Sequence, residues 1–373
     1  MEMKVDADVI VIGGAVVGTA LAYGFAKKGQ SVIVLDGEDQ DMRAARANFG
    51  LVWVQGKGPN APAYHQLSRY SADLWPEFLR ELTEMIGMQV DYSRPGGMNY
   101  CLSDAEYEAR MAVIRRTHNH VPQNDTRMVD RRELERMMPA VTFGPEVVGA
   151  SYCEADGHVN PLQLLAALQR GTIALGGKII FRSSAEAIRP GTSGFAVKAA
   201  LGTYTAPRVV VAAGLATPSL TEPLGFKIPL RSERGQLLVT ERLQPLLPFP
   251  GSGLRQTADS TIMIGATKEN ATDRGVSVDS ATKLALRATR IIPALAAARL
   301  VRQWSGFRVM PPDGSPIYAE SADYPGLFAA TCHSGVTLAA AHAAVVAPAM
   351  LDGRLSTDLP AFSNGRFNVQ KSA

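Results

Sequence analysis

The chain has 373 residues, a length that allows one large domain or two of ordinary size. Hydrophobic residues make up 46% and charged residues 20%, and these proportions exclude a disordered or fibrous protein. The 38 lysines and arginines nearly balance the 35 aspartates and glutamates, so the net charge of +3 argues against nucleic acid as a partner. The 3 cysteines are far apart in the sequence and predict neither a disulfide framework nor a metal site.

Neither the N-terminal residues nor the longest apolar run has the pattern of a secretory signal or a membrane-spanning segment. The first ten residues include Asp6 and Asp8 and lack the basic start and long apolar stretch of a secretory signal. Residues 335–351 carry no charge, but this run is shorter than the ~20 residues that span a bilayer, and it contains His342 and Pro348. We therefore expect a buried helix there and a cytoplasmic protein, with attachment to the inner membrane through partner subunits as an alternative.

The N-terminal segment has the pattern of a nucleotide-binding βαβ unit. A short apolar strand over residues 7–12 leads into the turn GGAVVG at residues 13–18. A helix is predicted over residues 19–28, and a second apolar strand over 31–35 ends at Asp36. This order of strand, glycine-rich turn, helix and strand predicts a dinucleotide site at the first turn.

Each small residue of the turn has a physical reason. Gly13 permits the tight turn, Ala15 lets backbone amides approach a pyrophosphate, and Gly18 lets the helix pack on the sheet. Ala15 stands where the consensus has a second glycine, but alanine keeps the site small. Asp36 follows Gly13 by about 20 residues, the spacing of the carboxylate that binds ribose hydroxyls. The motif alone does not distinguish FAD from NAD.

Three later segments favour a flavin. A basic stretch at residues 43–53 runs into small residues, and a buried strand at 208–213 is followed by Gly214. Another strand at 328–331 precedes the loop and the apolar run that begins at Gly335. Pieces from the beginning, middle and end of the chain suggest an extended flavin lying across one domain. A helix starting near Gly335 would point its N-terminus at the flavin ring.

These segments, in this order, resemble the FAD-dependent amine oxidoreductases of the D-amino-acid oxidase, glycine oxidase and sarcosine oxidase family over nearly the whole chain. More narrowly, the chain is similar to the FAD subunit of heteromeric dehydrogenases that act on opines (octopine, nopaline), on hydroxyproline or on proline. The motifs that carry the resemblance are VIGGAVVG (11–18), ARANFG (45–50), DGHVNP (156–161), VVVAAG (209–214), RGQ (234–236), MIGATKE (263–269), WSGFRVMPPDGSPI (304–317) and HSGVTLA (333–339).

The resemblance implies a fold that combines α/β and α+β parts: a discontinuous Rossmann-like FAD-binding domain and a mixed, largely antiparallel substrate domain. The sequence supports the second part independently, because residues 88–92 and 98–102 flank a Pro-Gly-Gly turn and predict a strand pair. The expected FAD-binding domain comprises residues 1–85, 146–220 and 320–373, and the expected substrate domain comprises 86–145 and 221–319.

The resemblance also implies an enzyme that oxidises the C–N bond of a secondary amine or amino acid by hydride transfer to flavin N5, giving an imine that water hydrolyses. An opine is the favoured substrate, and D-amino acids, hydroxyproline, proline, glycine and sarcosine are alternatives. A dehydrogenase is favoured over an oxidase, with partner subunits that carry further redox centres. From a different class, an NAD(P)-dependent Rossmann dehydrogenase and a non-catalytic flavoprotein subunit remain open.

Arg308, His333 and Tyr100 are the candidate catalytic residues. Arg308 stands where family members place the arginine that binds a substrate carboxylate, although an ion-paired surface arginine would look the same. His333 would shape the flavin site or help deprotonate the amine, unless it is hydrogen-bonded in a turn. Tyr100 would line the pocket or be a half-buried strand tyrosine. Ser334 stands where some relatives have a second arginine, and Lys268 is either a residue that helps oxygen react or a solvated lysine.

No metal site is predicted. The residues predicted to contact FAD are Gly13, Gly14, Ala15, Val17, Gly18, Asp36, Arg43, Ala45, Arg46, Asn48, Gly50, Leu51, Ala213, Gly214, Ser334, Gly335, Val336 and Thr337.

Overall fold

A computed structural model describes residues 5–37, 44–45, 47–120 and 125–368. The strands are β1 (Val9–Ile12), β2 (Val32–Leu35), β3 (Leu51–Val52), β4 (Tyr92–Ser93), β5 (Gly97–Cys101), β6 (Thr126–Asp130), β7 (Gly149–Cys153), β8 (Gly157–Val159), β9 (Lys178–Ile180), β10 (Ala185–Gly191), β11 (Gly194–Ala199), β12 (Gly202–Ala206), β13 (Arg208–Val211), β14 (Arg231–Arg242), β15 (Leu254–Gln256), β16 (Thr261–Gly265), β17 (Leu300–Met310), β18 (Ile317–Glu320) and β19 (Leu327–Thr331). The helices are α1 (Val16–Lys27), α2 (Pro62–Ile86), α3 (Asp104–His120), α4 (Arg131–Met137), α5 (Pro161–Ala174), α6 (Thr217–Thr221), α7 (Val278–Ile291), α8 (Ala339–Ala341), α9 (Ala347–Leu351) and α10 (Leu355–Asp358), with a π-helical turn (His342–Val346) between α8 and α9.

The main sheet has six strands in the order β18-β19-β13-β1-β2-β9. All neighbours are parallel except β18, which pairs antiparallel with β19 at one edge. The central strands are short runs of valine, isoleucine and leucine that are buried on both faces, as expected for parallel strands covered by other layers. Because β1, β2, β13 and β19 run the same way, the segments that follow them meet at one edge of the sheet.

Helices cover one face of this sheet and bring the C-terminal segment against the N-terminal unit. Helix α1 packs between α5 and the segment formed by α8, the π-helical turn and α9. Gly24 allows the close approach of that segment, since a Cβ there would lie 2.5 Å from the carbonyl oxygen of Ala343. The first and last parts of the chain therefore share one hydrophobic core.

Antiparallel sheets make up the rest of the structure. A four-stranded sheet has the order β15-β16-β14-β17, and three-stranded sheets are formed by β5-β7-β6, β3-β8-β4 and β10-β11-β12. A separate core lies between the first two of these sheets and helices α4 and α7. The predicted combination of a Rossmann-like sheet with largely antiparallel sheets is confirmed.

Two local predictions differ from the structure. Residues 88–92 and 98–102 do not pair, because β4 joins β8 and β5 joins β7. Gly96, with a φ of +95°, donates its N–H to the Asp156 carbonyl and directs the chain toward β7. The apolar run starts with a turn over residues 335–338, and the helix begins at Ala339 instead of near Gly335.

The predicted division into two domains stays a prediction, and one boundary is affected by the strand pairing. Strand β7 lies within the segment 146–220 that was expected in the FAD-binding domain. It pairs with β5 and β6, both in the expected substrate segment 86–145. Within the described ranges, no helix is both long and apolar enough to cross a membrane.

Candidate functional site

A cavity of about 450 Å³ opens at the edge of the main sheet where β1, β2, β13 and β19 end. On its other side it is closed by Arg274 and by Phe307 and Val309 of β17. Its size is within the range of small-molecule and cofactor sites. The residues predicted to contact a cofactor that line this cavity are Gly13, Ala15, Val17, Asp36, Ala45, Asn48, Ala213, Gly214, Gly335 and Val336.

The glycine turn after β1 has the geometry that the motif predicts. Gly13 has a φ of +110°, and a Cβ there would lie 2.4 Å from the carbonyl oxygen of Ala212. A Cβ on Gly18 would lie 1.8 Å from the carbonyl oxygen of Gly13. Gly18 is therefore buried behind the cavity wall, where it lets helix α1 sit directly on the turn.

The start of helix α1 faces the cavity. Ala15 is the N-cap, and no side chain in the described part of the chain accepts a hydrogen bond from this helix end. The first backbone N–H groups of a helix have no partner within the helix, and the helix dipole makes this end positive. Ala15, Val16 and Val17 line the cavity, so this end can receive a phosphate group.

Asp36 lies at the end of β2 and is tied to the glycine turn. Its Oδ2 accepts a hydrogen bond of 2.6 Å from the backbone N–H of Gly14, and its carboxylate lines the cavity. Gly14 itself does not line the cavity. Its contact with Asp36 holds the carboxylate at the site expected for a ribose hydroxyl.

The segment that precedes β3 forms another part of the wall. Asn48 Oδ1 accepts a hydrogen bond of 2.7 Å from the backbone N–H of Gly50, whose φ is +84°. The buried guanidinium of Arg255 lies 5.9 Å from the ring centre of Phe49, and it supports this turn from behind. Gly50 does not itself line the cavity. The predicted residues Arg43 and Arg46 lie outside the described residues.

Thr337 connects the C-terminal turn to two other parts of the chain. Its hydroxyl accepts a hydrogen bond of 3.1 Å from the backbone N–H of Trp53 and donates one of 3.4 Å to the carbonyl of Leu51. Its own carbonyl accepts hydrogen bonds from Ser71 Oγ and Trp75 Nε1. Leu51 and Thr337 therefore support the cavity wall from behind instead of lining it.

Ser334 also lies next to the cavity without lining it. Its side chain is buried and forms hydrogen bonds with Lys57 Nζ, at 2.6 Å, and with Tyr64 Oη. Burial lowers the pKa of the Lys57 amine to about 8, the dominant effect among its surroundings. Its neighbours on the C-terminal loop, Cys332 and His333, line the cavity.

Arg308 lies on β17 directly opposite Glu233 of β14. Its Nη1 donates to Glu233 Oε1 at 3.2 Å and to the carbonyl of Arg234 at 3.5 Å. The guanidinium lies over Gly235, where a Cβ would come within 2.7 Å of Nη2. Among the residues described, Arg308 has no hydrogen-bond acceptor on Nε or Nη2, so these two donors remain for a carboxylate.

His333 lines the cavity and is surrounded by cations. Burial holds the pKa of its imidazole well below the ordinary value, and the positive charges of Lys57, Arg308 and Lys268 lower it further. The imidazole is therefore neutral at neutral pH and has a nitrogen able to accept a hydrogen bond. The structure thus brings two of the three predicted catalytic residues, Arg308 and His333, into one group.

Tyr100 is not part of this group. Its side chain is 3% exposed, its ring packs against Phe143 at 5.9 Å, and its hydroxyl lies 3.7 Å from Met138 Sδ. It belongs to the hydrophobic core of the antiparallel sheets, and it does not line the cavity described above. The strand prediction for this segment is correct, but the ring points into the core because both faces of β5 are covered.

Comparison with known proteins matches residues 8–349 to the family described as FAD dependent oxidoreductase. The chain belongs to this family. It is 41% identical over 372 residues to a subunit of opine oxidase from Rhizobium meliloti, covering 98% of this chain and 99% of that protein. It is 42% identical over 373 residues to the corresponding opine oxidase subunit of Agrobacterium tumefaciens (strain Ach5), with the same coverage. The solved structure of glycine oxidase from Geobacillus kaustophilus superposes with a TM-score of 0.86, at 24% identity, over 96% of this chain and 98% of that one.

The cofactor of this oxidoreductase is FAD, and the NAD(P)-dependent alternative is set aside. The site fits FAD on its own geometry. The crowded glycines leave room for a ligand against the backbone at the positive end of α1, and Asp36 lies at the neighbouring strand end.

Sequence reasoning missed a buried polar network beside the site. Asp156 is fully buried, and its carboxylate accepts hydrogen bonds from the backbone N–H groups of Val54 and Gln55 and from Gln55 Nε2. Gln55 Oε1 accepts in turn from Arg110 Nη2 at 2.7 Å and from Ser151 Oγ at 2.6 Å. Burial raises the pKa of Asp156 to about 6. The network fixes the loop that leads to Lys57, and the only sequence signal for it was Asp156 in the DGHVNP motif.

Two further histidines and the three cysteines lie inside the fold. His342 is buried in the π-helical turn, and its Nε2 lies 2.9 Å from Tyr318 Oη. His158 is on β8, with Nδ1 3.2 Å from an Arg255 nitrogen. The three cysteines are buried and unpaired, and burial raises the pKa of Cys332 to about 12. A thiol with such a pKa is a poor nucleophile at neutral pH.

Proposed function

We propose that the chain is the FAD-binding, substrate-oxidising subunit of a heteromeric enzyme whose substrate is an opine. The observation that carries this proposal is the identity of 41–42% to two proteins that are named as the same opine oxidase subunit. The similarity extends over nearly the full length of this chain and of each relative. An opine is a secondary amine with a carboxylate on the carbon at each side of its nitrogen. The site must therefore bind carboxylate and hold one C–H bond toward the flavin position.

Arg308 supplies the first of these needs. Its Nε and Nη2 form a pair of donors that matches the two oxygens of a carboxylate. Glu233, on Nη1, holds the guanidinium in place, and Gly235 leaves space for it against the sheet. Phe307 and Val309, its neighbours on β17, line the cavity, whereas Arg308 itself does not, because alternate residues of a strand face opposite ways. The charge of Arg308 still acts on His333, so we propose that a carboxylate bound by Arg308 lies beside His333.

His333 acts on a further requirement, the protonation state of the substrate nitrogen. Oxidation of a C–N bond requires the amine to be neutral, because a protonated nitrogen has no electron pair to form the imine. The imidazole is neutral and lines the cavity, so its unprotonated nitrogen can accept a hydrogen bond from the N–H of a neutral amine. An ammonium substrate would lose its proton to solvent, because an imidazole with so low a pKa is a weak base. Surrounding cations also disfavour the charged form of the substrate's nitrogen.

Bound FAD would supply the acceptor for the hydride, which carries both electrons away from the substrate carbon. The nitrogen loses its proton, and the C–N single bond becomes an imine. Water then adds to the imine and releases an amino acid and a 2-oxo acid. The protein's contribution is to orient the substrate and to limit water at the site, as the apolar lining of β17 favours.

The electrons must then leave the chain. Both relatives at 41–42% identity are named as subunits, as is hydrogen cyanide synthase subunit HcnC of Pseudomonas aeruginosa, which is 27% identical over 420 aligned residues. We propose that partner subunits carry the next redox centres. Within the described ranges, no group of three or more histidine, cysteine, aspartate or glutamate side chains is arranged to hold a metal ion.

The test is an anaerobic substrate panel on the FAD-loaded protein. Octopine, nopaline, D-hydroxyproline, proline, sarcosine and glycine are each mixed with the protein, and the loss of flavin absorbance is followed. Reduction by octopine or nopaline at rates well above those for the other four supports the proposal. Faster reduction by an amino acid of the panel would replace the opine as substrate. Failure of all six would favour a non-catalytic flavoprotein subunit.

A further inference from the structure

We propose that Lys57 is a second carboxylate-binding residue, and that together with Arg308 it selects secondary amines that carry two carboxylates. This inference deepens the proposed function and rests on it for the identity of the natural substrate. It concerns the part of the site beside Ser334, a position where some relatives have a second arginine.

Lys57 is held by the protein backbone close to the C-terminal loop. It lies in the loop between β3 and α2, where its N–H donates to the carbonyl of Val54 at 3.0 Å. The carbonyl of Lys57 lies 3.2 Å from Nδ1 of the buried His65. Its amine donates to Ser334 Oγ at 2.6 Å, and Ser334, which does not line the cavity itself, lies between the lining residues His333 and Gly335 in sequence. The ammonium group is thus fixed beside the site, not free in solvent.

Two of the three N–H donors of the Lys57 ammonium group have no acceptor within the described residues. An ammonium group has three N–H bonds, and the hydrogen bond to Ser334 uses one of them. Throughout the described part of the chain, Lys57 has no ion-pair partner. A half-buried ammonium without a counter-ion is unfavourable, and an incoming carboxylate would supply both the charge and the acceptors.

The cationic side chains near His333 have few carboxylate partners. Lys57, Lys268 and Arg308 are all close enough to lower the pKa of this imidazole. Glu233 is paired with Arg308, whereas Lys268 is exposed and, in the residues described, has no carboxylate partner. Glu269, the neighbour of Lys268 in sequence, is committed to Arg234. Glu233 is therefore the ion-pair partner of Arg308, whereas Glu269 and Asp156 act on Arg308 and Lys57, respectively, without forming an ion pair with them in the described residues.

A ligand with two carboxylates could pair with both Arg308 and Lys57, whereas a ligand with one carboxylate would leave one of these two cations unpaired. Arg308 and Lys57 come from separate elements, β17 and the β3–α2 loop, which meet at His333 only in the folded chain. A carboxylate on each side of the substrate nitrogen could reach one cation each while His333 faces the nitrogen. Glycine, sarcosine and proline each have one carboxylate, which would bind Arg308 and leave Lys57 without a carboxylate partner.

The experiment compares two ether ligands that contain no amine to titrate or oxidise. Oxydiacetate has two carboxylates around its oxygen, and methoxyacetate has one. Each is titrated into the FAD-loaded protein, and the dissociation constant is read from the shift of the flavin spectrum. The variants are Lys57→Met, which removes the charge, and Lys57→Arg, which keeps it. Lys283→Met, which changes an exposed lysine of α7, is the matched control.

We expect wild type to bind oxydiacetate more tightly than methoxyacetate. Lys57→Met should weaken oxydiacetate by about 30-fold or more, the usual effect of removing one partner of a desolvated charge pair, and should change methoxyacetate by less than about 3-fold. Lys57→Arg should retain most of the preference, and Lys283→Met all of it. Retained flavin content shows that each variant is folded.

Equal weakening of the two ligands by Lys57→Met would overturn the proposal, as would equal binding of the two ligands by wild type. The outcome is separate from that of the substrate panel. If no opine reduces the flavin but Lys57→Met still abolishes the preference for oxydiacetate, the opine assignment fails and the second carboxylate site stands.

Discussion

The hydroxyl of Thr337 connects the C-terminal turn to the segment around Leu51 and Trp53, and two substitutions separate its hydrogen bonds from its packing. Thr337→Val replaces the hydroxyl by a methyl group of similar size. Thr337→Ser keeps the hydroxyl and removes the methyl. Since Thr337 is 2% exposed and Trp53 is 8% exposed, water cannot easily take the place of a lost partner.

The valine variant leaves the backbone N–H of Trp53 without an acceptor, because the hydroxyl that lies 3.1 Å from this nitrogen is gone. It also removes the weaker hydrogen bond of 3.4 Å to the Leu51 carbonyl. A buried donor without a partner costs about 1–3 kcal/mol, so we expect about 2–3 kcal/mol for the pair. The serine variant loses one buried methyl group, which costs about 1 kcal/mol. The order of stability is therefore wild type, Ser, Val.

The assay is urea unfolding at equilibrium with FAD in fixed excess, together with the dissociation constant of FAD for each variant. The valine variant should also bind FAD more weakly, because Thr337 ties the C-terminal turn to the segment around Leu51 and Trp53. If packing and not hydrogen bonding held the turn, the order would be reversed and Thr337→Ser would be the less stable variant. That order would refute the reasoning.

Four further outcomes are expected. Gly18→Ala should yield protein without bound flavin, seen as loss of yellow colour at matched concentration, because its Cβ would lie 1.8 Å from the Gly13 carbonyl oxygen. Arg308→Leu should raise the KM for a carboxylate substrate, because about 2–5 kcal/mol of binding free energy is lost with the guanidinium. An unchanged KM would show that another residue binds the carboxylate. Asp156 has a pKa of about 6 in the folded protein, above the ~3.9 of an unfolded chain. Because the native state binds the extra proton between these values, the free energy of unfolding should fall by up to about 3 kcal/mol as the pH rises from 4 to 7. The Asp156→Asn variant should lack this part of the pH dependence. The three cysteines should stay unreactive toward a thiol reagent until the protein is unfolded, because all are buried and burial raises their pKa values to about 11 or 12.

The cofactor half of the site was largely predictable because its geometry is local. Gly13, Gly18 and Asp36 belong to one βαβ unit, where the backbone conformation and the close packing of the turn demand these residues. The later segments could be added because each follows a buried strand, and parallel strands end at a common edge. Thus Ala213 and Gly335 line the same cavity as Gly13 although they lie far apart in sequence.

The substrate half was less predictable because it depends on long-range pairing and on which face of a strand is covered. Tyr100 was assigned to the pocket from its strand, but β5 is buried on both sides, so the alternation of residues does not show which side faces the site. Lys57 belongs to no motif, and its partner Ser334 is 277 residues away. Neither the residue type nor the local pattern could reveal that contact.

This difference explains how such a site can change its substrate without losing its cofactor. The phosphate-binding turn tolerates few substitutions because backbone atoms fill the space around Gly13 and Gly18. Lys57, by contrast, reaches the site as a side chain from a loop that is fixed by the buried carboxylate of Asp156. A change at Lys57 alters the charge offered to the substrate while that support stays in place. Selectivity for one or two carboxylates can therefore vary at this loop independently of FAD binding.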